Sequence, residues 1–523
     1  MSELTCFLCD TQTTKVCEDC IQPVCSSNHM KIHRSNSRCS PFRVESGENG
    51  RFLVATRDIQ PLEIILHDEC FGFVPKLEHP PVCLVCWNLT KETCGKCGLP
   101  LCKKCVPKAH EVECEIIKKS GIVTADEILE NPCILPSVAV FRFLNNNKHK
   151  EFYDRLVDNL SWIQTTEEFK IFNLISKFIR ERCDLKEYSE ELIWKILGKY
   201  KSNGCSVANY RARAIFPIFS MLNHSCISNA RHIVNSEDQS IEVVSKTFIP
   251  RGDEINIRYT TTFLETITTR KNIISDTWNF DCRCLLCNES TENKTYLSAV
   301  SCQNCKLSHL LPCQGEESQD LVWKSQGLVW KCGNCKKEIK EADIESIQNK
   351  VSIAFSKVPK TDLTKLVSFA SLCKTILHPK HALTLKVHQC ILHQKIENIQ
   401  LTNMKKEDLR SILNLSDEYI SVVEVVDPGF SKWKSRIEYQ TVRIELMALL
   451  QNVNVRNENP VSIISRCVSK LEEALAGMTG ELSCLSLQSS SLLSRIEGLI
   501  NHPNLEQGYS ALLRILCKHP ALH

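Results

Sequence analysis

The sequence predicts an α+β protein with a β-rich core, several small zinc-bound modules and an all-α C-terminal region. Three observations predict this. Cysteines and histidines recur at zinc-ligand spacing through the first 340 residues, short β-prone runs flank one of these clusters on both sides, and from about residue 342 the chain becomes helical in pattern and poor in glycine. At 523 residues the chain exceeds what one hydrophobic core organises, so roughly three to four units are expected.

Composition narrows the function classes. A hydrophobic content of 43% and a charged content of 24% are those of a globular protein. A net charge of +3 is too small for a dominant nucleic-acid footprint, and with the short finger loops it argues against a DNA-binding role. The opening MSELTCFLCD lacks an apolar signal core and no run of 18 apolar residues occurs. The expectation is a soluble cytoplasmic and/or nuclear protein without membrane contact. In a reducing compartment, 31 cysteines read as metal ligands or buried thiols rather than a disulfide framework.

The spacing of the zinc modules is the most specific signal in the sequence. Residues 83–114 hold Cys83, Cys86, Cys94, Cys97, Cys102, Cys105, His110 and Cys114. Structural zinc takes four such ligands tetrahedrally, and a C-x2-C turn delivers two to one ion. Eight ligands in four pairs give two ions. The interleaved weave usual in such fingers puts Cys83, Cys86, Cys102 and Cys105 on one, and Cys94, Cys97, His110 and Cys114 on the other. The N-terminus repeats the pattern with Cys6, Cys9, Cys17, Cys20, Cys25, His29, His33 and Cys39, matching six of eight offsets. By analogy Cys6, Cys9, Cys25 and His29 share one ion, and Cys17, Cys20, His33 and Cys39 the other. A third cluster, Cys282, Cys284 and Cys287, lacks a fourth ligand nearby. A fourth, Cys302, Cys305, Cys332 and Cys335, reads as a zinc ribbon.

The β-prone runs are Phe52–Thr56 and Glu63–His67 before the second finger, and residues 241–259 after it, which read as two strands joined by a Pro-Arg-Gly-Asp turn. Between lies Asn223-His224-Ser225-Cys226. Residues 115–200 carry helical periodicity, as in Thr166–Arg182, where Phe169, Phe172, Ile175, Phe178 and Ile179 recur and Thr166 is placed to cap. Further helices are expected at about 380–398, 405–425, 431–452, 461–477 and 503–517, after one containing Leu366, Phe369, Leu372, Cys373 and Ile376.

Taken in order, these motifs resemble the SET and MYND domain-containing (SMYD) methyltransferases, in particular the arthropod SmydA-like branch with an extra N-terminal finger. Gly50-Arg51 with Val54-Ala55-Thr56-Arg57-Asp58-Ile59 is similar to the first SET segment. The finger at 83–114 resembles the MYND insertion that splits SET, and Asn223-His224-Ser225-Cys226 the NHSC signature. Gly252-Asp253-Glu254-Ile255 followed by Tyr259 resembles the G-E-E-I…Y motif, and Phe280 with Cys282, Cys284 and Cys287 the post-SET zinc motif. The sequence departs from the pattern at Phe52, where a second glycine is usual, at Leu62 and at Ser228.

The resemblance implies a split, β-rich SET domain with an inserted MYND finger, an extra N-terminal finger, a zinc-bound post-SET region and a helical-repeat-like C-terminal domain. The corresponding segments are 1–41, 42–82, 83–114, 115–200, 201–262, 263–340 and 341–523. It implies S-adenosyl-L-methionine as cofactor and about six zinc ions, with Cys226 completing the set of Cys282, Cys284 and Cys287. It places Gly50, Arg51, Asn223, His224, Tyr259 and Phe280 at the cofactor and lysine channel, with Tyr259 as the catalytic tyrosine. The implied activity is protein-lysine N-methylation of a protein substrate, with peptide partners for the MYND finger. The alternative is a catalytically silent zinc-finger adaptor that binds partner proteins.

Overall fold

The computed structural model describes residues 4–478 apart from 10, 19–21, 35–38, 48–49, 77–80, 106–109, 122–124, 146–152, 208–210, 315–327, 399–404, 451–452, 454 and 459. Cys20 and the helix expected at 503–517 lie outside the described residues. The chain forms two compact units. One comprises Met1–Asn223, Ala230–Ile257 and Thr277–Asn279; the other comprises His224–Asn229, Arg258–Asp276 and Phe280–His523.

The first unit opens with the N-terminal finger. Strands β1 (Leu4–Thr5) and β2 (Gln12–Thr13) pair antiparallel. A helix at Ser27–His33 is capped by Ser26, whose hydroxyl accepts the His29 N–H. His29 and His33 lie one helical turn apart and both are buried. The finger is joined to the next strand, β3 (Phe42–Gly47), through a hydrogen bond of 2.7 Å from Val44 N–H to the Phe7 carbonyl.

Three small antiparallel sheets follow, and each combines strands from both sides of the second finger. β3 pairs with β4 (Gly50–Ala55), which pairs with β12 (Glu254–Ile257). β5 (Ile64–Glu69) pairs with β11 (Ser240–Ser245), which pairs with β10 (Ala230–Asn235). β6 (Gly72–Pro75) pairs with β8 (Ala212–Ile215), which pairs with β7 (Cys205–Val207). A two-residue strand, β9 (Asn223–His224), follows β8 in the chain. In the first unit, strands from 42–75 thus pair with strands from 205–215 and 230–257, and the finger and helices between them in sequence are an insertion.

The two strands expected at 241–259 are present as β11 and β12, and the Pro-Arg-Gly-Asp turn lies before β12. Gly252 takes a φ of +94°, which a side chain would resist, and Asp253 N–H bonds the Pro250 carbonyl at 3.1 Å. Instead of pairing with each other, β11 and β12 enter different sheets. The expected helix at Thr166–Arg182 is shorter. Thr166 donates its hydroxyl to the Ile163 carbonyl at 2.8 Å, so it closes the preceding turn instead of capping. The α-helix spans Phe169–Lys177 and continues as a wide π-turn, Phe178–Arg182.

In the second unit, β13 (Val300–Ser301), β14 (His309–Gln314), β15 (Leu328–Cys332) and β16 (Glu338–Lys340) form an antiparallel sheet. Helices follow at Glu341–Ser356, Leu363–Ile376, Ala382–Asn398, Lys406–Val426, Lys432–Leu450 and Pro460–Met478. Trp330 of β15 is fully buried among Ile344, Leu366, Val387 and Ile391, so ribbon and helices share one core. No helix among the described residues is long and apolar enough to cross a membrane.

Candidate functional site

The cysteine and histidine sets have the size of a zinc tetrahedron. A Zn–S bond near 2.3 Å gives sulfur–sulfur edges of about 3.8 Å, and a Zn–N bond near 2.05 Å gives sulfur–nitrogen edges of about 3.5 Å. A disulfide would need about 2.05 Å. Cys226 Sγ lies 3.9 Å from Cys282 Sγ and 3.6 Å from Cys287 Sγ, and Cys284 completes a set whose ligand atoms all lie within 4.8 Å of one another. The thiols Cys302–Cys335 and Cys305–Cys332 are 3.6 and 3.7 Å apart.

In the second finger, Cys86 Sγ is 3.7 Å from Cys102 Sγ in the set with Cys83 and Cys105. Cys97 Sγ is 3.5 Å from His110 Nε2 in the set with Cys94 and Cys114. In the first finger, His29 offers Nδ1, at 3.5 Å from Cys6 Sγ and 3.7 Å from Cys9 Sγ, and Cys25 joins them. Cys17 and Cys39 are 3.7 Å apart and His33 is buried. These are tetrahedral edges, and the residues fit zinc.

The Cys226 set bears most directly on the chemistry, because its neighbours are the other residues singled out by sequence. Cys226 is 5% exposed. Two residues earlier, His224 is half-buried, and the desolvation of its ring pushes the imidazole down to about 4 and keeps it neutral. Its Nδ1 accepts the backbone N–H of Tyr259 at 3.0 Å, so the ring proton sits on Nε2, 3.4 Å from Cys226 Sγ. Both ring nitrogens are thus engaged inside the protein, and what His224 can offer a ligand is its backbone.

Tyr259 and Phe280 stand around this imidazole. The Tyr259 ring centroid is 5.2 Å from that of His224 and 6.4 Å from that of Phe280, with the two six-membered rings perpendicular. Phe280 is 37% exposed.

A buried arginine serves the same metal set. Arg270 is 5% exposed, and its Nε lies 3.5 Å from Cys287 Sγ. Its Nη2 donates to the Leu286 carbonyl at 3.1 Å, and Nη1 pairs with the fully buried Glu292 at 3.0 Å. Four thiolates on one Zn2+ carry a formal charge of −2, which a guanidinium at this position offsets. Sequence patterns gave no signal for Arg270, because its partners lie at irregular separations on other elements.

The remaining candidates lie in the first unit. Asn223 donates through Nδ2 to Glu254 Oε1 at 2.8 Å, anchoring the signature segment to β12. Upstream, Asp68 of β5 accepts the N–H groups of Ile218 and Phe219 at 2.7 and 2.9 Å, pinning the turn that leads to Leu222 and Asn223. Gly50 has a φ of +95° and open space where a side chain would stand. Arg51 donates to the Arg155 carbonyl at 3.1 Å. Phe52, which replaces the usual glycine, turns its ring over Gly47 on the paired strand, where an added Cβ would meet it at 3.1 Å.

Residues 50–260 match a family model described as the SET domain. The chain is 26% identical over 320 residues to the SET domain-containing protein SmydA-8, isoform B, of Drosophila melanogaster, covering 58% of this chain and 68% of that one. It is 25% identical over 342 residues to a protein named histone-lysine N-methyltransferase ASHR1 of Arabidopsis thaliana, covering 58% and 67%. Among solved structures it is similar to one described as Rubisco LSMT bound to AdoMet, at 11% identity and a TM-score of 0.31, covering 84% of this chain and 98% of that chain.

Proposed function

We propose that this chain, whose residues 50–260 match the SET domain, is a SMYD-like SET protein that transfers a methyl group from S-adenosylmethionine to the side-chain amine of a lysine in a protein substrate. We assign residues 42–82 and 201–262 to the two parts of the SET domain. We assign 1–41 and 83–114 to MYND-type fingers, 115–200 to its helical insert, 263–340 to the post-SET region and ribbon, and 341–523 to the helical domain. The free thiols suit a reducing compartment, the cytoplasm or nucleus.

The observation that carries the proposal is the corner of His224, Tyr259 and Phe280 beside the Cys226 metal set. The bound cofactor supplies an electrophilic methyl group that an uncharged amine can accept. The chain's own residues supply position and environment. Gly50 and Arg51, Asn223 and the backbone of His224 would hold the cofactor. Tyr259 would orient the amine through its hydroxyl, and Phe280 would line the channel. An amine enclosed by aromatic rings loses hydration, which favours the neutral form that reacts. Zinc on Cys226, Cys282, Cys284 and Cys287 would tie the post-SET loop to the signature segment and so keep Phe280 near Tyr259.

The test is Tyr259→Phe, assayed with radiolabelled S-adenosylmethionine and a mixture of cellular proteins. Label should reach protein lysines with the wild type and fall at least a hundredfold with the variant while zinc content is unchanged. Equal labelling by the two proteins removes Tyr259 from the catalytic role. Absence of labelling and of cofactor binding in both would point to the adaptor alternative.

A further inference from the structure

Arg258, the residue before Tyr259, joins the metal site to the C-terminal helices. Its guanidinium donates to the Cys226 carbonyl from Nη2 at 2.6 Å and from Nε at 3.2 Å. Nη2 also donates to the carbonyl of Val426, the last residue of the helix Lys406–Val426. The same group pairs with Asp427 at 3.5 Å, the two side chains being only 12% and 10% exposed. The cation therefore meets the unsatisfied carbonyls and negative end of that helix.

The contacts around it fix its orientation. Asp427 accepts the Ser431 hydroxyl, which holds the carboxylate in place. Phe263 lies under the guanidinium at 5.7 Å and stacks on Trp433 at 5.2 Å. A planar fork that spans two carbonyls and a carboxylate in a buried setting is a geometric fixture that lysine cannot copy. On its far side stand Cys226, a metal-set residue, and Tyr259, whose N–H is held by His224.

We propose that Arg258 is a positioning residue through which the Val426–Trp433 corner of the C-terminal helices sets the backbone of Cys226 and the placement of Tyr259. The helices then govern the geometry of the site, and a change at that corner is transmitted to it. The consequence for methyl transfer rests on the function proposed above, whereas the consequence for the metal set does not.

The experiment uses the zinc-loaded full chain as wild type, Arg258→Lys, Asp427→Asn and the double variant. Zinc release is followed with 4-(2-pyridylazo)resorcinol, and S-adenosylmethionine binding by calorimetry. Each single variant should release one equivalent of zinc about tenfold faster and leave the other equivalents at the wild-type rate. The double variant should be no faster than the worse single, because the two residues act as a unit. Cofactor affinity should fall in parallel. The proposal is overturned by a wild-type release rate in either single variant, by acceleration of every equivalent together, or by multiplied effects in the double variant. Failure of the wild type to bind cofactor would overturn the methyltransferase reading and leave the zinc result decisive for Arg258.

Discussion

His224 Nδ1 accepts the backbone N–H of Tyr259 at 3.0 Å, so a neutral imidazole is a structural requirement of this corner. Burial, which pushes its pKa down to about 4, meets that requirement throughout the physiological range. His224→Phe keeps a ring of similar size and removes both nitrogens. It should leave the Tyr259 N–H and the Cys226 thiolate without their partner, costing about 1–3 kcal/mol in chemical unfolding. Unchanged stability would show that these two contacts contribute nothing.

Arg270 predicts a metal phenotype. Arg270→Gln leaves the charge of the Cys226 set uncompensated and Glu292 buried without its cation. Metal analysis after dialysis against a chelator should show the loss of one zinc equivalent, with both fingers still loaded. Full retention of all equivalents would contradict the charge argument.

Asp68 predicts a pH dependence. Burial pushes its carboxyl up to about 7, although the amides of Phe219 and Ile218 pull in the opposite direction. A folded-state pKa above the unfolded value near 3.9 means that the folded protein keeps a proton the unfolded chain has lost. Stability from this group is therefore present at low pH, falls as pH rises from about 4 through about 7, and is flat above. Asp68→Asn still accepts both N–H groups through its amide oxygen and has no proton to lose. Thermal unfolding of the wild type should drop relative to the variant between pH 5 and 7.5, and parallel curves would refute this assignment.

The N-terminal finger makes the fourth prediction. Phe7 accepts the Val44 N–H on β3, so the finger covers that sheet edge. Cys6→Ser should open the edge, lower the first unfolding transition and promote self-association by light scattering. A monodisperse variant of unchanged stability would make the finger an independent appendage.

The sequence revealed what is encoded locally. A C-x2-C turn chelates through residues three apart, so the ligand sets are legible as spacing, and β4 and β5 lie close to the expected runs. What it hid depends on pairings across long separations. The destinations of β11 and β12 in different sheets are set by partners 171 to 202 residues upstream. Arg258 and Arg270 look like ordinary surface cations until helices and loops bring Asp427 and Glu292 to them. Thr166 has the composition of a cap but is held by the turn before it. For His224 the resemblance implied the residue's importance but not that its ring faces inward to Tyr259 and Cys226.

The most direct measurement of the central claim is calorimetric titration of the zinc-loaded full chain with S-adenosylmethionine. Saturable binding of one cofactor per chain, retained by Tyr259→Phe, is the predicted result. Absence of binding heat across a range of temperatures, with zinc content intact, would contradict the methyltransferase account.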